Sequence, residues 1–168
     1  MKKLVCILSS FAAVAVAIAE VSPEAAFDAA YKAGNPLIAE RAFLALTRKN
    51  PNTSAIRYWQ AAEVARQNMQ PTIRRARLAR YLALEKRWTP EAEQAAWELC
   101  VSAADAREFA RLAKNVPATP LLYRAGNSLL ERLRREKRSA DFISVAFTML
   151  GKFPNRDARL AVAVALRN

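Results

Sequence analysis

Apolar residues recur at intervals of three and four along most of this chain, and no stretch alternates Val, Ile or Thr with polar residues between turns. Intervals of three and four place apolar side chains on one face of a helix, whereas a strand requires alternation. Alanine, leucine and arginine, which favour helices, dominate the composition, and glycine occurs only three times. The pattern therefore predicts an all-α protein.

Prolines and capping residues divide this pattern into about eight or nine helices. Proline is favoured in the first helical turn, and the residue before it resists the helical conformation. The predicted helices begin at Ser22, Asn35, Thr53 or Ser54, Gln70, Thr89, Asp105, Thr119, Ser139 and Asn155. The first eight end near Ala33, Lys49, Gln67, Arg87, Ser102, Lys114, Lys137 and Lys152, and the ninth runs to the last residue.

Every second predicted helix begins at a nearly constant spacing. The starts at Asn35, Gln70, Asp105 and Ser139 are separated by 35, 35 and 34 residues. The clearest unit is residues 27–51, in which two short helices are joined by a Gly-Asn turn and followed by Asn-Pro. A fixed period of this length is typical of proteins built from stacked helical hairpins.

This unit and its period resemble the tetratricopeptide repeat. The resemblance rests on residues that close the first helix, face the packing seam or end the unit: Tyr31, Gly34, Ala39, Phe43 and Pro51 in the first unit, and Pro154 in the fourth. It implies a TPR-like domain over residues 20–168, folded as a right-handed α-solenoid of antiparallel helix pairs with a concave binding face. A closed orthogonal bundle of the same helices is the alternative. The last predicted helix is apolar on all sides, so it either closes the stack or meets a partner.

The first 19 residues are typical of a cleaved signal peptide. Lys2 and Lys3 precede an apolar run that ends in Ala-Ile-Ala, a sequence with small residues where a signal peptidase cuts. Cleavage after Ala19 removes two lysines and no acid, so the formal charge falls from +12 to +10. We therefore expect a periplasmic or secreted protein without a transmembrane span after cleavage, and an uncleaved anchor is the alternative.

Catalytic chemistry is poorly supported by the residue types present. The chain has no histidine and, after cleavage, a single cysteine, Cys100. These absences exclude histidine-dependent nucleophilic sites and the usual zinc sites, and three glycines form no phosphate-binding loop. We expect no enzyme activity, no metal and no cofactor. Cys100 is expected to be packed and inert, or else to form a disulfide between chains.

Positive charge is the remaining signal. Helical geometry places Arg74, Arg77, Arg80 and Arg87 on one arc of the fourth predicted helix, together with Tyr81. One interpretation is a solvated face whose arginine stems lie over apolar neighbours. The other is a docking strip for an acidic peptide, a lipid head group or a polysaccharide.

Two functions are compatible with these features. The first is an exported, non-enzymatic scaffold or adaptor that binds a protein or peptide segment on the concave face of a helical-repeat stack. The second is a peripheral envelope protein whose arginine-rich face binds anionic lipid or cell-wall polymer. Export disfavours nucleic acid as a partner, although arginines beside aromatic residues could bind it in another compartment.

Overall fold

The computed structural model describes residues 22–154 together with Arg159 and Ala163. These residues form eight α-helices in the range 22–154 and no strand, which confirms the all-α prediction. The predicted signal peptide, residues 1–19, lies outside the described residues. So does the predicted ninth helix, except for Arg159 and Ala163.

The observed helix bounds agree closely with most of the predicted starts and ends. The helices are α1 (Pro23–Lys32), α2 (Pro36–Lys49), α3 (Ala55–Gln67), α4 (Pro71–Leu84), α5 (Pro90–Val101), α6 (Ala106–Asn115), α7 (Pro120–Arg135) and α8 (Ser139–Lys152). None of these helices has both the length and the apolar character required to cross a membrane.

Side-chain caps explain most of the helix starts. Five predicted capping residues each accept a hydrogen bond, 2.8 to 3.2 Å long, from the backbone N–H three residues later: Ser22, Asn35, Thr89, Asp105 and Thr119. Each bond satisfies a backbone donor that has no partner inside its helix. The start predicted at Ser139 is shifted by one residue, because Arg138 occupies the cap position there.

Three of the four hairpin turns close in the same way. Gly34, Met69 and Lys137 have φ angles of 65°, 54° and 56°, in the left-handed region. In each turn the next residue donates its backbone N–H to the carbonyl five residues before it, at 2.8 to 2.9 Å. This is the Schellman arrangement, which ends a helix and reverses the chain within a few residues.

The turn between α5 and α6 is held differently. The carbonyl oxygens of Ala103 and Ala104 accept hydrogen bonds from Arg132 and Arg138, which lie at the end of α7 and just before α8. Asp141 of α8 in turn accepts a hydrogen bond from the backbone N–H of Ala106 at 3.1 Å. The last helix pair therefore fixes the turn of the pair before it.

The interior consists of three apolar clusters that follow the order of the chain. One joins α1, α2 and α3, the next joins α3, α4 and α5, and the third joins α5 to α8. Helix α3 contributes Ala61 and Val64 to the first cluster and Ala62 to the second. Helix α5 contributes Ala95 to the second and Ala96 to the third. Consecutive groups of helices thus share a helix, and alanine at these positions allows close packing.

Helix α4 ends earlier than predicted. Its last residue is Leu84 instead of a residue near Arg87, and Glu85 has an extended backbone. The Glu85 carboxylate accepts a hydrogen bond from the backbone N–H of Arg87 at 3.0 Å, which offers the chain a local alternative to another helical turn. Arg87 consequently lies in the loop between α4 and α5.

The aromatic side chain of Phe147 in α8 lies on the surface. Phe142, Val145, Ala146 and Met149 form the buried side of α8, whereas Phe147 is 63% exposed. At 100° per residue, Phe147 is about 200° from both Val145 and Met149, so it points away from the core.

Because Gly34 and Gly151 have different backbone conformations, replacing each with alanine should change the free energy of unfolding in opposite directions. Gly34 has a φ of 65°, where a Cβ is strained, so Gly34→Ala should lower the free energy of unfolding by about 1 kcal/mol. Gly151 lies in α8, and an added Cβ would meet no atom within 4 Å, so Gly151→Ala should raise it by about 0.5 kcal/mol. Urea denaturation followed by circular dichroism measures both changes. Changes of the same sign would contradict the assignment of Gly34 as a required left-handed residue.

Candidate functional site

Arg77, the second arginine of the predicted strip, lies inside the structure. Its two terminal nitrogens are 2.7 and 2.5 Å from the carboxylate oxygens of Glu40 in α2. It also donates to the carbonyl of Ala61 in α3 at 2.9 Å, and its guanidinium lies 4.7 Å from the ring centre of Phe43. The side chain is only 7% exposed. Arg77 therefore ties α4 to α2 and α3 through a two-pronged ion pair.

Arg74 makes a similar connection one turn earlier. It donates two hydrogen bonds to Glu98 of α5, at 2.8 and 2.6 Å, and one to Glu63 of α3 at 2.8 Å. The hydrogen bond with Glu98 is the main reason that the pKa of Arg74 is raised, against the effect of burial. Burial alone would raise the pKa of Glu63, but hydrogen bonds from Arg74 and Arg66 outweigh it and lower that pKa.

Two further arginines each connect a helix to the second helix before or after it. Arg57 of α3 pairs with Asp28 and Glu24 of α1, and its hydrogen bond to Asp28 is the main cause of that carboxyl's lowered pKa. Arg75 of α4 pairs with Glu108 of α6 at 2.5 Å. The pKa of Glu108 is lowered because hydrogen bonds from the Ala104 backbone and from Arg75 outweigh burial, which would raise it.

Tyr81, the aromatic member of the predicted strip, belongs to the core. It is buried in the cluster shared by α3, α4 and α5, and its ring centre lies 5.6 Å from that of Trp59. Its hydroxyl is 3.1 Å from the Thr89 hydroxyl. Burial is the main reason that the pKa of Tyr81 is raised.

Arg80 and Arg87 are the exposed members of the predicted strip, and they lie on different elements. Arg80 of α4 donates to the side chain of Asn52 at 3.0 Å, and its guanidinium lies 5.9 Å from the ring centre of Tyr58. Arg87, in the α4–α5 loop, is 3.8 Å from a carboxylate oxygen of Glu85.

Contrary to the prediction from helical geometry, these five residues do not form one exposed strip. Carboxylates on neighbouring helices cover Arg74 and Arg77, and the early end of α4 moves Arg87 off the helix. A helical projection places side chains on an arc, but it does not tell which arc the neighbouring helices cover.

The residues singled out for repeat packing lie mostly in the first hairpin. Ala39 and Phe43 are buried with Phe27, and Tyr31 stacks on Phe27 with ring centres 5.9 Å apart. The other three lie at element ends: Gly34 in the left-handed turn, Pro51 after α2, where its carbonyl accepts a hydrogen bond from the Tyr58 hydroxyl at 3.0 Å, and Pro154 after α8.

A cleft of about 440 Å³ lies between the α4–α5 loop and the C-terminal half of α6. Lys86 and Arg87 of the loop and Arg111 of α6 line it with three positive charges, and Glu85 supplies one negative charge. Trp88, which is 40% exposed, lies beside them. The apolar part of the lining includes Leu82, Ala83, Leu112 and Val116. Basic, aromatic and apolar groups therefore meet in one concavity, which makes it the strongest candidate binding site.

The sequence pattern does not predict this cleft. Arg87 lies at the predicted end of the fourth helix, and nothing in the chain links it to Arg111, which is 24 residues further on. The preference of helix C-terminal ends for cations explains the positive charges that follow α4, but it predicts no cleft.

A second cleft, of about 380 Å³, lies between the start of α4 and the end of α5. Its charged lining includes Arg74, Arg75 and Glu98, and both arginines are already paired with carboxylates. Binding an anion there would require these ion pairs to break. The cleft beside Trp88 carries no such requirement for Arg87, whose side chain is 86% exposed.

Cys100 of α5 is fully buried in the apolar cluster of α5 to α8, and burial raises the pKa of its thiol to about 12. A neutral, inaccessible thiol fits the packed interpretation. A disulfide between chains would require the cluster of α5 to α8 to open.

Within residues 22–154, no group of three or more His, Cys, Asp or Glu side chains is arranged to hold a metal ion. Comparisons with protein families, with curated proteins and with solved structures found no match to this chain.

Removing the charge of Arg77 should strongly destabilise the fold. Arg77→Met leaves Glu40, which is 14% exposed, without its partner, and breaking a buried pair in this way costs about 3 to 5 kcal/mol. Arg80→Met removes the same charge from an exposed site on the same helix and should change the free energy of unfolding by less than about 0.5 kcal/mol. Urea denaturation compares the two variants. Equal effects would contradict an internal structural role for Arg77.

Stability should be constant near neutral pH and fall in acid. Asp28, Glu63 and Glu108 have lowered pKa values in the folded protein because arginines donate hydrogen bonds to them, against the effect of burial. On acidification the unfolded chain takes up these protons first, so the free energy of unfolding decreases below the ordinary carboxyl pKa of about 4. Without histidine, no side chain with an ordinary pKa titrates between about pH 6 and 8. Urea midpoints measured from pH 2 to 8 test this; a midpoint that rises on acidification would contradict it.

Proposed function

We propose that this chain is an exported, non-enzymatic scaffold that binds a protein or peptide segment on a stack of antiparallel helix pairs. The arrangement proposed is a right-handed, TPR-like α-solenoid over residues 20–168, with residues 1–19 removed as a signal peptide. The observation that carries the proposal is the sequence of three apolar clusters, in which α3 and α5 each belong to two. Such sharing is expected when each hairpin buries its apolar face only against its neighbours.

The recurring turn supports the same arrangement. Gly34, Met69 and Lys137 occupy equivalent left-handed positions, and the first two are 35 residues apart. The arginine pairs also support it, because Arg57, Arg77 and Arg75 connect helices that are two apart in the chain. A connection of this kind is expected when successive helix pairs lie side by side.

A binding function is favoured over catalysis by the chemistry of the surface. The chain has no histidine, and its single cysteine after residue 19 is buried and protonated. The cleft beside Trp88 offers cations, an aromatic side chain and apolar contacts, which are the groups that anchor partners at protein interfaces.

The experiment that tests this function is a capture from an envelope extract with purified residues 20–168, washed at low and at high salt. We expect a specific protein to be retained in high salt, since apolar anchors persist when charge is screened. As a control, the same extract is passed over the Arg77→Met variant, whose packing is disrupted. Recovery of only anionic lipid or cell-wall polymer, lost in high salt, would overturn the scaffold proposal in favour of the peripheral envelope function.

A further inference from the structure

We propose that the cleft beside Trp88 binds an acidic peptide segment that carries an apolar side chain. Lys86, Arg87 and Arg111 would contact its carboxylates, and Trp88 with the apolar lining would contact its apolar side chain. The proposal rests on the proposed function, because it names the chemistry of the partner that the scaffold holds.

Charge is the first support. The arginines of α4 that face the interior each have a carboxylate partner, namely Arg74, Arg75 and Arg77. The lining of the cleft has the reverse balance, with three cations and one carboxylate, Glu85. Glu108, outside the lining, is close enough to Arg111 for the two charges to attract each other. The structure places the nearest Glu85 oxygen 3.8 Å from Arg87, which is a weak, solvated contact. An anionic partner would supply the charge that this part of the surface lacks.

The aromatic residue is the second support. The C-terminal ends of helices favour cations, which accounts for Lys86 and Arg87 just beyond α4 but not for Arg111, which lies before the last turn of α6. It does not account for Trp88, whose large side chain stays 40% exposed beside them. Tryptophan and arginine are both enriched among the residues that dominate binding energy at interfaces.

The shape of the cleft selects the kind of partner. A volume of about 440 Å³ falls in the range that encloses a small ligand or a few side chains, and it is too small for the surface of a folded domain. Leu82, Leu112 and Val116 line it, so a purely ionic polymer would leave this apolar part without a partner. A short peptide segment with acidic residues around an apolar one satisfies both parts.

The test begins with selection from a random peptide library displayed on phage, using folded residues 20–168 as bait. We expect the selected peptides to be enriched in Asp and Glu around a Leu, Phe or Trp. Affinity for the best synthetic peptide is then measured by fluorescence anisotropy with three variants. The cleft variant is Lys86→Ser with Arg87→Ser and Arg111→Ser, the anchor variant is Trp88→Ala, and the matched control is Arg41→Ser with Arg48→Ser and Arg124→Ser.

The cleft and control variants lose the same charge from exposed positions, so a general charge effect would weaken both equally. We expect the cleft variant to bind at least tenfold more weakly, the control to change by less than about threefold, and Trp88→Ala to weaken binding while the salt dependence is kept. Circular dichroism checks that each variant is folded.

Four results would overturn the proposal. Equal weakening by the cleft and control variants would show general charge attraction. If neither the cleft variant nor the anchor variant changes the affinity, the peptide site lies elsewhere, and the scaffold function remains intact. If no peptide is selected, the cleft proposal fails, and the capture experiment separately decides whether the chain binds protein. Binding of anionic phospholipid vesicles through Lys86, Arg87 and Arg111 in place of peptide would also overturn it.

Discussion

The ion pairs that the arginines of α4 form with four neighbouring helices hold α2 to α6 together. Arg77 reaches Glu40 of α2, Arg74 reaches Glu63 of α3 and Glu98 of α5, and Arg75 reaches Glu108 of α6. A guanidinium that leaves water needs opposite charge in a matching geometry, so these side chains tolerate few alternative packings. Arg77 and Arg74 also donate to the carbonyls of Ala61 and Ala62, and the small side chains of α3 leave those carbonyls accessible.

Small residues and arginines therefore act together. Buried alanines let neighbouring helices approach, and arginines on the adjacent helix then span the interface to a carboxylate or a carbonyl. Arginines play a similar part at the turn between α5 and α6, which lacks the left-handed closure of the other three hairpin turns. There Arg132 and Arg138 donate hydrogen bonds to the carbonyls of the turn. At the crossing of α7 and α8 the small residue is Gly126, where a Cβ would lie 2.1 Å from the sulfur of Met149. Small residues thus allow close packing both at α3 and at the crossing of α7 and α8.

The basic residues that the structure describes divide into two parts with different consequences. One part, represented by Arg57, Arg74 and Arg77, is neutralised between helices and contributes to the fold. The other part faces solvent, and at the cleft beside Trp88 it lies next to apolar lining. A count of basic residues cannot separate these parts, since both consist of arginines on helices. Only the second part is available to a partner.

Local signals in the sequence predicted the helical class and the places where most of the helices begin. Those properties depend on local signals: apolar spacing, capping side chains such as Asn35 and Thr119, and proline in the first turn. The tertiary structure determines which side of each helix is covered. It buried Arg77 and Tyr81, exposed Phe147, and brought Arg111 beside Trp88. The physical reason is that burial and ion pairing depend on groups distant in the chain, whose positions follow from how the helices pack and not from the residues next to them.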